Sequence, residues 1–159
     1  MKNTNTEKQY FLFILNKEVY AVEALEVVEI VEYQSLTKVP MMQNYIKGVT
    51  NVRGNIIPVM DLSLRFKLDE TIIREKTSLA ILKKKYNDKI LQIAIIIDEV
   101  HEVDNIHNKD IETTPDFGTN VDKVFISSMA KYNGEYVPIL DIDTLLNIDV
   151  ISILEKDKG

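Results

Sequence analysis

The feature that most limits what this chain can become is an internal repeat. The stretch IKGVTNVRGNIIPVMDL (46–62) is echoed eighty residues later. Gly54, Pro58 and Asp61 fall on Gly134, Pro138 and Asp141, while Ile57, Val59, Met60 and Leu62 fall on Val137, Ile139, Leu140 and Ile142. Further upstream the shift is seventy-five: Val22, Glu23, Leu25, Val28, Glu29 and Pro40 fall on Ile97, Asp98, Val100, Val103, Asp104 and Pro115. A longer loop after Pro115 absorbs the difference. Two copies of one unit of roughly 70 residues is the simplest account. One residue breaks the echo: Arg53 precedes the shared glycine in the first copy, and Asn133 stands there in the second. The repeat marks what the backbone needs, and the arginine is what one copy adds.

Each copy reads as short strands. Tyr10–Leu15, Thr77–Leu82, Ile90–Ile97 and Tyr136–Leu140 are rich in Ile, Val, Leu and aromatics, and Asn16-Lys17, Asn87-Asp88, Asn133-Gly134 and Arg53-Gly54-Asn55 read as hairpin turns. Pro58 and Pro138 donate no ladder hydrogen bond, so an edge or a bulge is expected at both. Helix is scarce. Asp141 is a good N-cap before Ile142, Leu145 and Leu146, and Asp61 is its weaker equivalent. Ala24–Glu29 reads either as a helical turn or as the start of a strand. Five or so strands per copy predict two small barrels, since a closed barrel leaves no sheet edge exposed. Neither copy alone can bury a large core, so the two should pack together and leave a groove. The run IIPVM, apolar on both alternating faces, suits a strand lining a barrel on one side and meeting a neighbour on the other.

The composition excludes several functions. No stretch approaches twenty apolar residues, and the start, MKNTNTEKQ, carries no apolar segment, so neither membrane insertion nor export is expected. A net charge of −6 argues against a nucleic-acid partner. With no cysteine there is no thiol chemistry and no disulfide, which fits a reducing, cytoplasmic setting. The two histidines, His101 and His107, match no metalloprotease pattern and read as exposed residues of a polar segment. The glycines form no phosphate loop. Capping explains Asp141 better than Mg²⁺ binding by Asp141 and Asp143 does, and Lys83-Lys84-Lys85 reads as a charged hairpin tip. On β alternation Ile46, Gly48, Thr50 and Val52 face the core, and Lys47, Val49, Asn51 and Arg53 face outward. The residues leave two readings of Arg53 open: a solvated hairpin arginine, or a five-donor fork for a partner's carboxylates and amides. Gly48 allows another backbone to come close.

Together, Ile46-Lys47-Gly48-Val49, Asn51-Val52-Arg53-Gly54 and Ile57-Pro58-Val59-Met60-Asp61-Leu62 resemble the signature of the CheW family of chemotaxis coupling proteins. YFLFILNKEVYAVEALEVVEIVE resembles the start of that domain, and the similarity runs from about Gln9 to Leu146. The same domain also ends the chemotaxis histidine kinase CheA and precedes a receiver domain in CheV; the length here matches a free-standing adaptor. The resemblance implies an all-β fold of two packed five-stranded SH3-like β-barrels with short helical turns. The first would span 9–68 and the second 77–147, with flexible tails at 1–8 and 150–159. It implies no catalysis and no cofactor. The expected partners are the cytoplasmic tips of chemoreceptors and the regulatory domain of CheA, with CheV as a further one, met in the cytoplasm by exposed surfaces. In the family the receptor groove lies between the barrels. The arginine matching Arg53 is central to it, positions matching Val27 and Glu29 contribute, and the glycine matching Gly48 tolerates replacement poorly. Lys47 and Asn51, on the same outward face, complete the candidate set. The kinase contact would fall on exposed apolar loops. Ser128 stands where the family usually has glycine, so packing there should differ. The rival readings are a CheW-like coupler of a non-motility pathway, and a metal-dependent hydrolase or small-ligand receptor using Asp61, Asp141 and the histidines.

Overall fold

Among the described residues, eleven strands and two four-residue helices follow one another in an order that repeats. The computed structural model describes residues 6–40, 43–113 and 121–146. Pro115, residues 1–5 of the tail expected at 1–8, and the tail expected at 150–159 lie outside them. The first copy supplies β1 (Glu7–Leu15), β2 (Glu18–Glu23), a 3-10 turn (Ala24–Glu26), β3 (Val27–Glu32), β4 (Ile46–Val52), β5 (Asn55–Asp61) and α1 (Leu62–Arg65). The second supplies β6 (Ser78–Tyr86), β7 (Lys89–Ile97), β8 (Glu99–His107), β9 (Ile111–Glu112), β10 (Ile126–Tyr132), β11 (Glu135–Leu140) and α2 (Ile142–Leu145). The ambiguous Ala24–Glu29 segment is thus both things in turn.

All four expected hairpin turns form, and the residues at their centres have positive φ: Asn16 and Lys17, Arg53 and Gly54, Asn87 and Asp88, Asn133 and Gly134. That geometry matches the right-handed twist of the flanking strands, and Asn, Asp and Gly adopt it with least strain.

The strands form two sheets, β8-β1-β2-β11-β10-β9 and β3-β6-β7-β5-β4. These are the two SH3-like units of an all-β fold, and they do not follow the two halves of the chain. The third strand of each copy crosses over, so that β3 pairs with β6 and β8 pairs with β1. Each sheet draws on both of the ranges, 9–68 and 77–147, expected for the two barrels.

Closure uses one device twice. After β3 the chain turns so that Thr37 pairs with Val49 of β4, its N–H donating to the Val49 carbonyl at 2.9 Å and its carbonyl accepting from Val49 N–H at 2.8 Å. After β8 the chain turns so that Glu112 of β9 pairs with Met129 of β10. Thr37 and Glu112 are related by the shift of seventy-five, Val49 and Met129 by that of eighty. The prolines depart from expectation in being on interior strands: Pro58 lies opposite Val49 and Pro138 opposite Met129. Because Val49 spends its backbone groups on Thr37, the Val49–Pro58 pair is a non-hydrogen-bonded one, and the proline nitrogen faces away from β4. Pairing with β7 begins only at Val59, and pairing of β11 with β2 is at Ile139. Each proline stands just before a ladder that would have needed its N–H.

Alternation then produces three cores. Leu12, Ala21, Ile106, Val137 and Ile139 fill the six-stranded unit, and Ile57, Val59, Leu79, Ile81 and Ile96 fill the five-stranded one. The intervening residues of the same strands, including Phe11, Phe13 and Leu15 of β1, Ile93, Ile95 and Ile97 of β7, and Met60, meet between the sheets. A chain of ring contacts runs through this seam, Phe13–Tyr20 stacked at 6.0 Å, then Tyr20–Phe66 and Phe66–Phe125 tilted at 5.6 and 5.4 Å. Burying such side chains contributes on the order of 1.5–3 kcal/mol each, which makes the seam a main source of cohesion.

Candidate functional site

On β4 the expected alternation holds. Ile46, Gly48, Thr50 and Val52 are buried, Lys47 and Val49 are half-buried, and Asn51 is exposed. Arg53 follows at the hairpin with φ of 53°, a conformation that non-glycine residues seldom take, and its side chain is 76% exposed. Asn51 explains part of this geometry, because its Oδ1 accepts from Gly54 N–H at 3.0 Å and fixes the turn.

Arg53 is not a free fork. Its Nε donates to Glu29 Oε2 at 3.0 Å and to Oε1 at 3.2 Å, and its Nη2 donates to Oε1 at 3.1 Å. Glu29 lies on β3, and β3 and β4 are the two ends of the five-stranded sheet. The pair therefore bridges the barrel's closing gap from outside. The hydrogen bonds from Arg53, and then its charge, hold the Glu29 carboxyl below its ordinary value, while Arg53 is pushed up by the same contact. Lys47 pairs with Glu70 of the segment between the copies, and this contact, with Lys38 adding a smaller effect, lowers the Glu70 carboxyl. Gly48 has φ of 149°, and a Cβ there would lie 2.4 Å from the Thr37 carbonyl oxygen. Its glycine is thus a condition of the barrel closure beneath Arg53. Val27 packs against the core between the sheets. The structure gathers Arg53, Glu29, Asn51, Lys47 and Gly48 around the β3–β4 gap and sets Val27 at the neighbouring seam.

Asp61, Asp141 and His107, singled out for metal chemistry, are otherwise engaged. Asp61 is buried and accepts from Ser63 N–H and Leu64 N–H, which caps α1, and from Thr71 N–H and its hydroxyl, both at 2.9 Å. Asp141 caps α2 through Thr144 N–H. His107 Nδ1 accepts from Lys109 N–H at 3.1 Å, and its Nε2 lies 2.6 Å from the Thr6 hydroxyl. Among the described residues no three His, Asp or Glu side chains gather to hold a metal. A cleft of about 700 Å³ opens beside Asp69–Thr71 and the Asn16-Lys17 turn, lined by charges of both signs.

Two residues escaped sequence reasoning. Arg65 at the end of α1 lies between two aromatic rings related by the repeat, 4.7 Å from the centre of Tyr45 and 4.8 Å from that of Phe125. It also donates to the carbonyls of Thr144 and Leu145, at 3.1 and 3.3 Å. It pins one copy to the other. The signal that flagged Arg53 was available for it too, since Leu145 stands eighty residues on. Lys84, read as part of a solvated tip, is 14% exposed and bonds Asp143 at 3.0 Å.

Paired SH3-like barrels that present a charged rim across one barrel's closing gap define a small interaction module. Comparison with known proteins places it. The chain belongs to the CheW-like domain family, whose profile matches residues 9–150. It is 31% identical over 142 residues to the chemotaxis protein CheW of Bacillus subtilis, covering 89% of this chain and 88% of that one. It is also 31% identical over 141 residues to the Helicobacter pylori CheW, covering 89% and 82%. Among solved structures, the scaffolding protein TtCheW of Thermoanaerobacter tengcongensis superposes with a TM-score of 0.79 at 29% identity, covering 92% of each chain.

Proposed function

We propose that this chain is a non-catalytic chemotaxis adaptor that couples the cytoplasmic tips of chemoreceptors to the histidine kinase CheA, working in the cytoplasm at receptor arrays. Family membership supports the coupling role, and several relatives carry the name chemotaxis protein CheW. The chain is also 29% identical over 168 residues to a CheV1 protein of Helicobacter pylori and spans about half of it, so the two share this domain; CheV-type proteins are further partners on the family resemblance alone. No helix among the described residues is long and apolar enough to cross a membrane, which fits recruitment through partners.

The receptor site is the rim formed by Arg53 and Glu29, with Lys47, Asn51, Gly48 and Val27 shaping it. The observation that carries this reading is the exposure of Arg53 in a strained turn, held in a defined direction by Glu29. A receptor helix laid against the rim would meet a guanidinium already oriented for charge-assisted hydrogen bonds. Co-sedimentation of Arg53→Ala with receptor-containing membranes tests the site. Binding should fall about ten- to a hundredfold with a melting temperature nearly unchanged. Normal binding by a folded variant would remove Arg53 from the site. For the coupling role, a reconstituted kinase assay should show receptor control of phosphorylation only when this protein is added.

A further inference from the structure

The hairpin of β6 and β7 is longer than the sheet that holds it. β3 joins β6 only as far as Val27 opposite Leu82, and β5 joins β7 at Ala94, Ile95 and Ile96. Beyond those limits, among the described residues, 83–86 and 89–92 make ladder pairs with each other alone, and they project from the barrel as a two-stranded ribbon. Residues 83–89, KKKYNDK, hold four lysines and one aspartate in a chain whose net charge is −6.

The two sides of the ribbon differ. Neighbours along a strand face opposite ways, and residues directly opposed across a ladder share a side. One side carries Lys84 with Leu91 opposite, and Lys89 beyond, continuing from Leu82 and Ile93 of the seam between the sheets. There Lys84 is tied to Asp143 of α2, which fixes the ribbon's orientation. The other side carries Lys83 opposite Gln92 and Lys85 opposite Ile90. Both lysines are exposed, neither makes an ion pair among the described residues, and Ile90 is 64% exposed. This side runs on from the rim. Ile81, two residues before Lys83 on the same side of β6, stands opposite Glu29, and Glu29 holds Arg53. Two strand residues span about 7 Å, so Lys83 and Lys85 continue the rim outward in steps of that size. Lysines alone would keep a projecting ribbon soluble; an exposed isoleucine beside them does not serve that end.

We propose that this side of the ribbon is a cationic extension of the Arg53 rim, and that its occupant is the receptor helix, which meets Ile90 with an apolar residue and Lys83 and Lys85 with carboxylates. The proposal rests on reading the rim as the receptor site and states the chemistry of the helix that fits it. Glu29 is already matched by Arg53, which leaves Lys83 and Lys85 as the unmatched charges on this side. Exposed lysines of this kind act mainly on the rate of encounter with an acidic partner, and salt screens them.

The experiment measures binding of the full chain to a soluble cytoplasmic chemoreceptor fragment in low salt and in about 1 M salt. Lys83→Gln combined with Lys85→Gln should weaken binding about three- to tenfold in low salt, chiefly through slower association, and should match the wild type in high salt. Ile90→Ser should weaken binding in both. Lys89→Gln, which removes a charge from the ribbon's other side, should change binding less than about twofold. Arg53→Ala is the reference for the rim. If Arg53→Ala binds weakly and the lysine pair binds normally, the ribbon has no part in recognition and the proposal is overturned. A loss in Lys89→Gln as large as that in the lysine pair would overturn it as well, since net charge and not one side of the ribbon would be acting. If the lysine pair weakens binding and Arg53→Ala does not, the rim reading fails and the ribbon stands as the receptor contact. Normal binding by both would end both.

Discussion

In the first copy, Arg53 reaches from the β4–β5 turn to Glu29 on β3. In the second, Tyr132 at the end of β10 donates its hydroxyl to Asp104 on β8 at 2.9 Å and bonds Glu102 as well. Asp104 is the repeat counterpart of Glu29, so both barrels anchor an acidic residue of the third strand across the same gap. One anchor is a guanidinium and the other a phenol, one position removed. The backbone closures beneath them, Thr37 on Val49 and Glu112 on Met129, are the same contact. Duplication has kept what closes a barrel and released what faces outward, because closure depends on main-chain pairing while the rim is exposed enough to change at little cost in stability. The result is one barrel that offers donors and one that offers acceptors.

The largest test of this comparison concerns the bulge below each anchor. Gly48 and Ser128 are repeat counterparts, each just after a register shift in its hairpin. In Gly48→Ala the new Cβ meets the Thr37 oxygen at 2.4 Å in a conformation that favours glycine, so a loss on the order of 2–4 kcal/mol is expected in denaturant unfolding. Ser128→Ala, at a position without positive φ, should cost less than about 1 kcal/mol. Equal losses would mean that the two bulges are the same after all.

Arg65 comes next. Arg65→Met should lower stability by about 2–3 kcal/mol through lost stacking on Tyr45 and Phe125 and two abandoned carbonyls. Arg65→Lys should recover little, because an ammonium cannot stack and reach both oxygens at once. For the rim, Arg53→Asn makes the first copy resemble the second. It should abolish receptor co-sedimentation, and Asn133→Arg in the same chain should not restore it, since Tyr132 already occupies Asp104. The smallest effect belongs to Tyr132→Phe, about 0.5–1.5 kcal/mol in thermal unfolding with receptor binding intact. Acid should weaken the rim. Glu29 and Glu70 have carboxyls lowered by Arg53 and Lys47, so their stabilisation is present above the unfolded value of 4.5 and is lost as pH falls below it. Arg53→Asn should flatten part of that acid loss.

Much of this was legible in the residues. The repeat with its four hairpin turns, the caps at Asp61 and Asp141 and the outward face of β4 follow from local stereochemistry, which a sequence states directly. The family signature sits in those same residues. The bond between Arg53 and Glu29 was not legible, although both residues stood in the candidate set, because they meet only when β3 and β4 close a barrel. Lys84 looked like a solvated tip because its neighbours are. Its partner is Asp143 of α2, nearly sixty residues away.

By itself the sequence determined the units: where strands start and turn, which side of each is apolar, and which arginine departs from the echo. These are short-range matters of φ, of proline's missing donor and of period-two burial. Only the tertiary structure decided that the third strand of each copy would cross to the other sheet, that Glu29 would direct Arg53, and that Lys84 would meet Asp143. Those outcomes depend on contacts between distant residues, whose closure is settled by the packing of the whole chain and leaves no trace in local spacing.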